Sequence, residues 1–412
     1  MSCCSSSVPF APPPTLPPLR RRCRAAALTL PTTARAPRSA AVRAALSDPF
    51  VLEIAEKLED SLSSSDAAAS PLPLQKLRDS ASQSLLSKRW PSTKDEPFRF
   101  TNLSFLRSSL LLPVPSPTIP LDPALDSPSP HLLAIVDGHV APSLSRLAAL
   151  PSGVFAGSVS ALPPGPTLDR VLTALAEGFG DGDLFWDLNG VGAPDMAVIF
   201  VPAGVRVVDE PVHVQICYSE GGEVGSERLP VSSPRVLVVV EKGAEVAIVE
   251  EHLGIGGSAE RCYWANSVME ILIGEGGKVV HSYVQRQSVN AAHIKWTFAR
   301  QVSSLQGSGF HRFAQQTDAG QLTRTLLLAP RAAANVKPNL QIVADDVKCS
   351  HGAAISDLEE DQLFYFQARG IDLTTARQAL IFSFGSEVIS RIPFEPIRKS
   401  VTSQLKHSLS TQ

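Results

Sequence analysis

The chain has 412 residues, 44% hydrophobic and 19% charged, which is material for a large core and, by length, for two or three domains. No run of about eighteen apolar residues occurs, so no transmembrane helix is expected. The formal charge of −3 is uneven: seven arginines and no acid or lysine fall in residues 1–47, leaving −10 over residues 48–412, and an acidic body argues against a nucleic-acid binder.

Residues 1–46 combine Arg20, Arg21, Arg22, Arg24, Arg35, Arg38 and Arg43 with many Ser, Ala, Thr and Pro, the composition of an organellar transit peptide. The first nineteen residues carry no charged side chain, which points to the chloroplast rather than the mitochondrion, with processing expected near Ala44–Ser47. The plain alternative is a disordered basic tail. Removing the segment takes Cys3, Cys4 and Cys23 with it. The remaining Cys217, Cys262 and Cys349 are too few and too scattered for a disulfide framework or a metal knuckle, so reduced thiols are expected.

Residues 47–130 read as an N-terminal helical region with a Pro-rich linker. Val51, Ile54, Ala55, Leu58 and Leu62 form a helical stripe, Pro71 and Pro73 interrupt it, and Leu74, Leu77, Leu85 and Leu86 predict a second helix towards Trp90. Seven prolines within residues 113–130 forbid helix or central strand there. Leu132–Val136, Asp137-Gly138 and His139-Val140 predict a hairpin, followed by a helix near Leu168–Glu177.

From Leu188 to about Ile355 the sequence turns to short Val- and Ile-rich runs broken by glycine. Three similar turn segments centre on Gly204, Gly243 and Gly277, spaced 39 and 34 residues apart, within the range that marks stacked β architecture. Arg235–Val240 is apolar on both faces, which suits a β-helix better than a sandwich with one solvated side. Ser356 with Glu359 predicts a capping box opening a helix over Glu359–Arg369, and Gly370 is placed to stop it. A second helix is expected over Thr374–Arg391, burying Leu380, Phe384 and Val388, and a third over Ile397–Leu409.

The chemistry concentrates in Asn335–Ser356. On an extended strand, Asp345, Val347, Cys349 and His351 share one face, so a thiol and an imidazole point the same way. Both suit a soft or borderline metal such as iron, yet they are too few to close a site, and a Cys and His pair on a strand is more often packing than ligation. His281, His293, His311 and Cys262 lack ligand spacing and read as structural. Gly274–Lys278 lacks the spacing and the Ser/Thr of a P-loop, and no GxSxG or HExxH motif occurs.

Lys337–Ala353, followed by Glu360–Ile371 and Ala376–Leu380, resembles the C-terminal signature of the SufD family, subunits of the SUF iron–sulfur assembly scaffold. Looser similarity runs through Glu96–Leu103, Phe185–Gly190 and Ile199–Val205. The resemblance implies a mainly β fold, with a right-handed parallel β-helix core over residues 131–356 and α-helical domains on either side, the C-terminal one being residues 357–412. It implies a heterodimer with the paralogue SufB through the β-helix, and docking of the ABC-type ATPase SufC on residues 357–412. The chain itself is then expected to be a non-catalytic subunit of the chloroplast stroma with no stably bound cofactor and no nucleic-acid or membrane partner. The motif histidine maps onto His351, at the interface where a transient iron–sulfur cluster is thought to form, with Cys349 as its neighbour. Gln321–Leu328 lacks the cysteine that SufB carries at this place, which favours SufD. The competing readings are a β-helix carbohydrate-active enzyme, which needs a cleft of paired carboxylates or arginines, and a purely structural β-solenoid.

Overall fold

Eight consecutive strands, counted from residue 197 to residue 301, form two largely parallel sheets in this computed structural model. It describes residues 48–63, 71–114, 127–177, 182–219, 221–255, 261–301, 317–328, 332–337 and 346–410. The expected transit peptide, the middle of the Pro-rich linker, His311 and Asp345 lie outside these residues.

The helices α1 (Pro49–Ser63), α2 (Leu72–Leu85) and the short α3 (Ser104–Ser108) come first, then strand β1 (Leu110–Pro113). Asp48 ties the start of α1 to the end of the next segment, its carboxylate accepting from the Phe50 N–H at 3.0 Å and the Trp90 N–H at 3.1 Å. Strands β2 (Leu132–Val136) and β3 (His139–Val140) form the expected antiparallel hairpin, with Asp137 and Gly138 at positive φ in its turn. Then come β4 (Phe155–Ser158), α4 (Pro166–Glu177) and α5 (Leu184–Gly192).

Strands β5 (Ala197–Val201), β7 (Arg228–Ser232), β8 (Arg235–Val240), β10 (Trp264–Ile273) and β12 (Ala292–Gln301) join β1 and β4 in a seven-stranded sheet. Strands β6 (Arg206–Tyr218), β9 (Glu245–Gly254) and β11 (Lys278–Arg286) join β2 and β3 in a five-stranded one. The chain therefore crosses between the sheets at each turn, and successive strands of one sheet pair in parallel, Ala197 with Val236 and Val236 with Met269. At the crossings Gly204, Gly243 and Gly276 take positive φ of 72°, 66° and 67°. The left-handed glycine of the third turn is thus Gly276, not Gly277. The turns stack: the Gly204 N–H donates to the Lys242 carbonyl at 3.0 Å, and the Gly243 N–H to the Glu275 carbonyl at 2.8 Å.

Between the sheets lies an apolar core that includes Ile199, Val238, Met269, Val214, Val246 and Ile248. The other face of the larger sheet is covered by helices, with Leu237, Val239 and Leu272 packed against Val171, Ala174 and Trp186. Every residue of α5 is buried. Asp183 caps it, accepting from the N–H groups of Phe185 and Trp186 at 2.9 and 3.0 Å. A Cβ on Gly190 would lie 2.7 Å from that of Ala81, and one on Gly192 2.8 Å from Leu58, so these glycines permit close approach of α2 and α1. Strand structure begins later than the expected Leu188 because this glycine-containing run is a helix enclosed on all sides.

Strands β13 (Thr317–Leu326) and β14 (Val347–Ser356) form a separate two-stranded parallel sheet, followed by α6 (Glu360–Gln367), α7 (Leu373–Ile389) and α8 (Glu395–Ser410). The capping box at Ser356 does not form, because β14 runs through Ser356 and Glu359 is itself the N-cap, without a side-chain cap bond. Gly370 does sit at positive φ, 80°, just past α6. On α7 the buried residues are Ala376 and Ile389, while Val388 is 63% exposed, so the expected apolar stripe is displaced. Ile389, Ile392 and Ile397 pack on Val249, which fastens the helices to the outer face of β9. Helix and strand occupy comparable shares of the described residues, so the expected mainly β composition becomes mixed sheets plus helices.

A Cβ at Gly243 would meet nothing within 4 Å, so its requirement is purely conformational. Gly243→Ala is expected to lower stability by about 1–2 kcal/mol, the cost of a left-handed conformation for a residue with a Cβ, measured by urea unfolding. An unchanged midpoint would show that the stacked turn tolerates another conformation.

Candidate functional site

The two sequence-derived site residues lie together on β14. Cys349 is registered against Ala319 of β13, and His351 against Gln321. Burial alternates as expected through Val347 and Cys349, which are half-buried, while Lys348 and Ser350 are exposed. At the next step the alternation slips: His351 is exposed and Gly352 is half-buried, with room for a Cβ only 3.3 Å from Leu322. Cys349 is a thiol outside any disulfide. The ion pair beside them, Lys348 with Asp318 at 3.3 Å, is exposed and adds little stability. Among the described residues no group of three His, Cys, Asp or Glu side chains is arranged to hold a metal ion. The strand therefore presents one exposed imidazole and one partly covered thiol, donors that need others from elsewhere to enclose a cluster.

The histidines and lysine farther back behave differently. On β9, consecutive Glu250 and Glu251 point to opposite faces of the sheet, and each gathers its own ionic cluster. Glu250 lies between the two sheets, fully buried. It takes His252 Nε2 at 2.8 Å, His281 Nε2 at 2.9 Å and Lys295 Nζ at 2.6 Å. Burial opposes its charge, but Lys295, His252 and His281 together hold its carboxyl well below the usual range. The same burial lowers Lys295, with Glu250 acting in the opposite sense. His252 is pushed down by burial against the pull of Glu250, and His293 falls to about 3 through burial beside His252 and Lys295.

Glu251 faces the other way. It accepts from Arg286 Nε at 2.8 Å and Gln215 Nε2 at 3.0 Å, and meets His213 Nε2 at 3.1 Å. His213 Nδ1 in turn lies 2.6 Å from Ser127 Oγ. Burial raises the Glu251 carboxyl, and His213, Arg286 and Gln215 overcome this to place it at about 2. Ser127, His213 and Glu251 are all buried, so this chain of hydrogen bonds fastens the segment before β2 onto the sheet.

Sequence reading missed both clusters, treating His281 and His293 as isolated structural residues. The signal was present as three polar pairs spaced by two on β9, β11 and β12: Glu250 with His252, His281 with Tyr283, and His293 with Lys295. Each pair occupies one strand face, and only the crossing of the chain between sheets brings the three faces together.

The family profile described as "SUF system FeS cluster assembly, SufBD core domain" matches residues 223–308 and 308–384, from the approach to β7 into α7. "Protein ABCI7, chloroplastic" of Arabidopsis thaliana is 44% identical, over 89% of this chain and 92% of that protein. An iron–sulfur cluster assembly SufBD family protein of Synechocystis is 28% identical, over 78% of this chain and 88% of its own. The iron–sulfur cluster assembly protein SufD of Escherichia coli is 35% identical over a shorter stretch, 23% of each chain. The chain belongs to the SufBD family of the SUF iron–sulfur cluster assembly system. Within that family it is SufD-like and of the plant chloroplast type.

The clusters make stability pH-dependent in a stated direction. For His293, with a folded value of about 3 against an ordinary 6.5, the unfolded chain holds a proton that the folded one does not between these limits. Stability is thus complete above pH 6.5 and falls towards pH 3, with Glu251 adding its loss from 4.5 down to about 2. The urea midpoint is expected to decline steadily through this window. His293→Gln should remove about 1.4 kcal/mol per pH unit of that slope. A flat midpoint between pH 6.5 and 4.5 would contradict the assignment.

Proposed function

We propose that this protein is a non-catalytic scaffold subunit of a chloroplast stromal SUF complex. In this reading the two alternating sheets are turns of a right-handed parallel β-helix that pairs with a SufB-like subunit. His351, with Cys349 beside it, supplies a donor to a nascent iron–sulfur cluster carried as cargo at the shared interface. The observation that supports this most directly is the contrast within the chain. His252 is buried and His281 and His293 are partly buried, each bound to a carboxylate or a tyrosine, whereas His351 sits on a strand ladder with its side chain exposed. A lone exposed donor is suited to a site completed by another subunit, since such clusters take about four ligands.

The carbohydrate-active alternative loses support from the same clusters. Interior carboxylates Glu250, Glu251 and Glu270 are tied to Lys295, Arg286 and Arg235, so none is available as the acid of a glycosidase pair.

His351→Ala in a reconstituted complex with SufB-like and SufC-like partners is expected to lower cluster yield while assembly by size-exclusion chromatography is preserved. An unchanged yield would remove the donor role. The exposed position predicts a stability change within about 0.5 kcal/mol.

The ATPase is assigned to residues 357–412, where α6 and α7 leave Phe364 71% and Val388 63% exposed. Deleting the helices would uncover Val249, so point substitution is the cleaner test. Phe364→Glu with Val388→Glu is expected to abolish co-purification with the ATPase without moving the unfolding midpoint. Retained binding would place docking elsewhere.

A further inference from the structure

Tyrosine is scarce in this chain, four residues in 412, yet Tyr218, Tyr263 and Tyr283 stand together between the two sheets. The rings of Tyr263 and Tyr218 stack at 5.1 Å with 22° between planes. Tyr218 stacks on His252 at 6.0 Å, and His252 lies 5.4 Å from Tyr283 and 4.9 Å from His293. Aromatic contact therefore runs without a break from fully buried Tyr218 to Tyr283, which is 41% exposed.

Two of the phenols sit on imidazoles. Tyr218 Oη is 2.8 Å from His252 Nδ1, and Tyr283 Oη is 2.7 Å from His293 Nε2. The surroundings decide which atom donates. Ionised Glu250 faces His252 Nε2 at 2.8 Å, so Nε2 carries the proton and Nδ1 offers a lone pair to Tyr218. Burial raises both phenols, so each keeps its proton at rest and donates it, and burial keeps both imidazoles neutral and able to accept.

One-electron oxidation turns a phenol O–H into a strong acid, and in a core the resulting positive charge cannot be solvated. A buried tyrosine is therefore oxidised only where a base takes its proton in the same step. His252 is such a base, and its imidazolium would rest against the Glu250 carboxylate.

We propose that Tyr283 and Tyr218, with His293 and His252, form a proton-coupled radical relay that takes up one-electron oxidising equivalents at the surface and holds them in the core. An oxidant of the hydroxyl-radical class, as iron and peroxide generate, takes one electron from Tyr283 and becomes hydroxide. The Tyr283 proton passes to His293 Nε2. An electron then moves from Tyr218 to Tyr283, Tyr283 recovers its proton from His293, and the Tyr218 proton moves to His252 Nδ1. The neutral Tyr218 radical is shielded from coupling with other radicals. A thiolate in solution later supplies, by the same path, the electron that restores it and becomes a thiyl radical, while His252 returns the proton to Tyr218. This activity does not depend on cluster assembly.

The test uses the full chain carrying Tyr365→Phe, so that every tyrosyl radical arises in the cluster. The chain is photo-oxidised with ruthenium tris-bipyridine and a cobalt(III) quencher and followed by electron paramagnetic resonance. A long-lived neutral tyrosyl signal is expected, its formation slowed in deuterium oxide. Adding Tyr218→Phe should remove the long-lived component and raise dityrosine fluorescence from Tyr283. Adding Tyr283→Phe instead, at a position too exposed to threaten folding, should abolish the prompt signal. A radical whose yield and lifetime are unchanged by Tyr283→Phe would overturn the relay. So would a lifetime unchanged by Tyr218→Phe in a variant with the parent's near-ultraviolet circular dichroism.

Discussion

A parallel strand that crosses between two sheets at every turn has no solvated face to spare, and this constraint governs the rest of the molecule. The inner face of each strand belongs to the core between the sheets, and the outer face must be covered by something else. On the larger sheet the cover is α5, pressed so closely that glycine is required at Gly190 and Gly192. Beneath α5 the cover extends to charge: Arg235, 1% exposed, binds Glu270 through Nε at 3.1 Å and Nη2 at 3.0 Å. Its Nη1 donates to Asn189 Oδ1 at 3.0 Å, and the guanidinium lies 5.0 Å from the Trp186 ring. A charge enclosed this way is tolerated because every part of it has a partner. On the smaller sheet the cover is the hairpin segment around Ala141 and, farther along, the C-terminal helices on Val249.

The same constraint sorts the ionisable residues into two populations. Glu250 and Glu251 are neighbours in sequence but occupy different environments, one gathering Lys295 and two histidines from the interior, the other Arg286 and His213 on the outer face. Their partners make them stable anions in a core, so neither carboxyl is held protonated as a general acid would be. His351 lies beyond these layers, on a two-stranded sheet whose far faces are not enclosed by the described residues. That placement is what the proposed donor role needs. A donor locked into a buried network is unavailable to cargo, while one on an exposed ladder is paired through its backbone and accessible in its side chain.

Much of this organisation was legible in the sequence. The stripe from Val51 to Leu58, the Asp137-Gly138 hairpin, the glycine-punctuated β region and the stop at Gly370 all follow from local rules of periodicity and φ. Elements failed where a local signal served a distant contact. Gly190 and Gly192 look like loop residues, but they are glycine because α1 and α2 pass within 3 Å of where a Cβ would be. Ser356 and Glu359 have capping spacing, but pairing with β13 extends the strand through Ser356 and leaves no room for the cap. Val388 has the right helical period, but Val249 and the residues of α8 draw Ile389 inward instead.

The amino-acid sequence alone determined the family signature around His351, the turn spacing that implies stacked strands, and the absence of ordinary hydrolase and nucleotide-binding motifs. These are properties of short segments, written in residue type and spacing. Only the tertiary structure decided that Glu250, His252, His281, His293 and Lys295 meet, that three tyrosines stack through them, and that His351 stands apart from that network. Such meetings depend on which strand faces turn towards each other after the chain has crossed between the sheets. No period within a single strand encodes that, because it is set by the register of one turn upon the next.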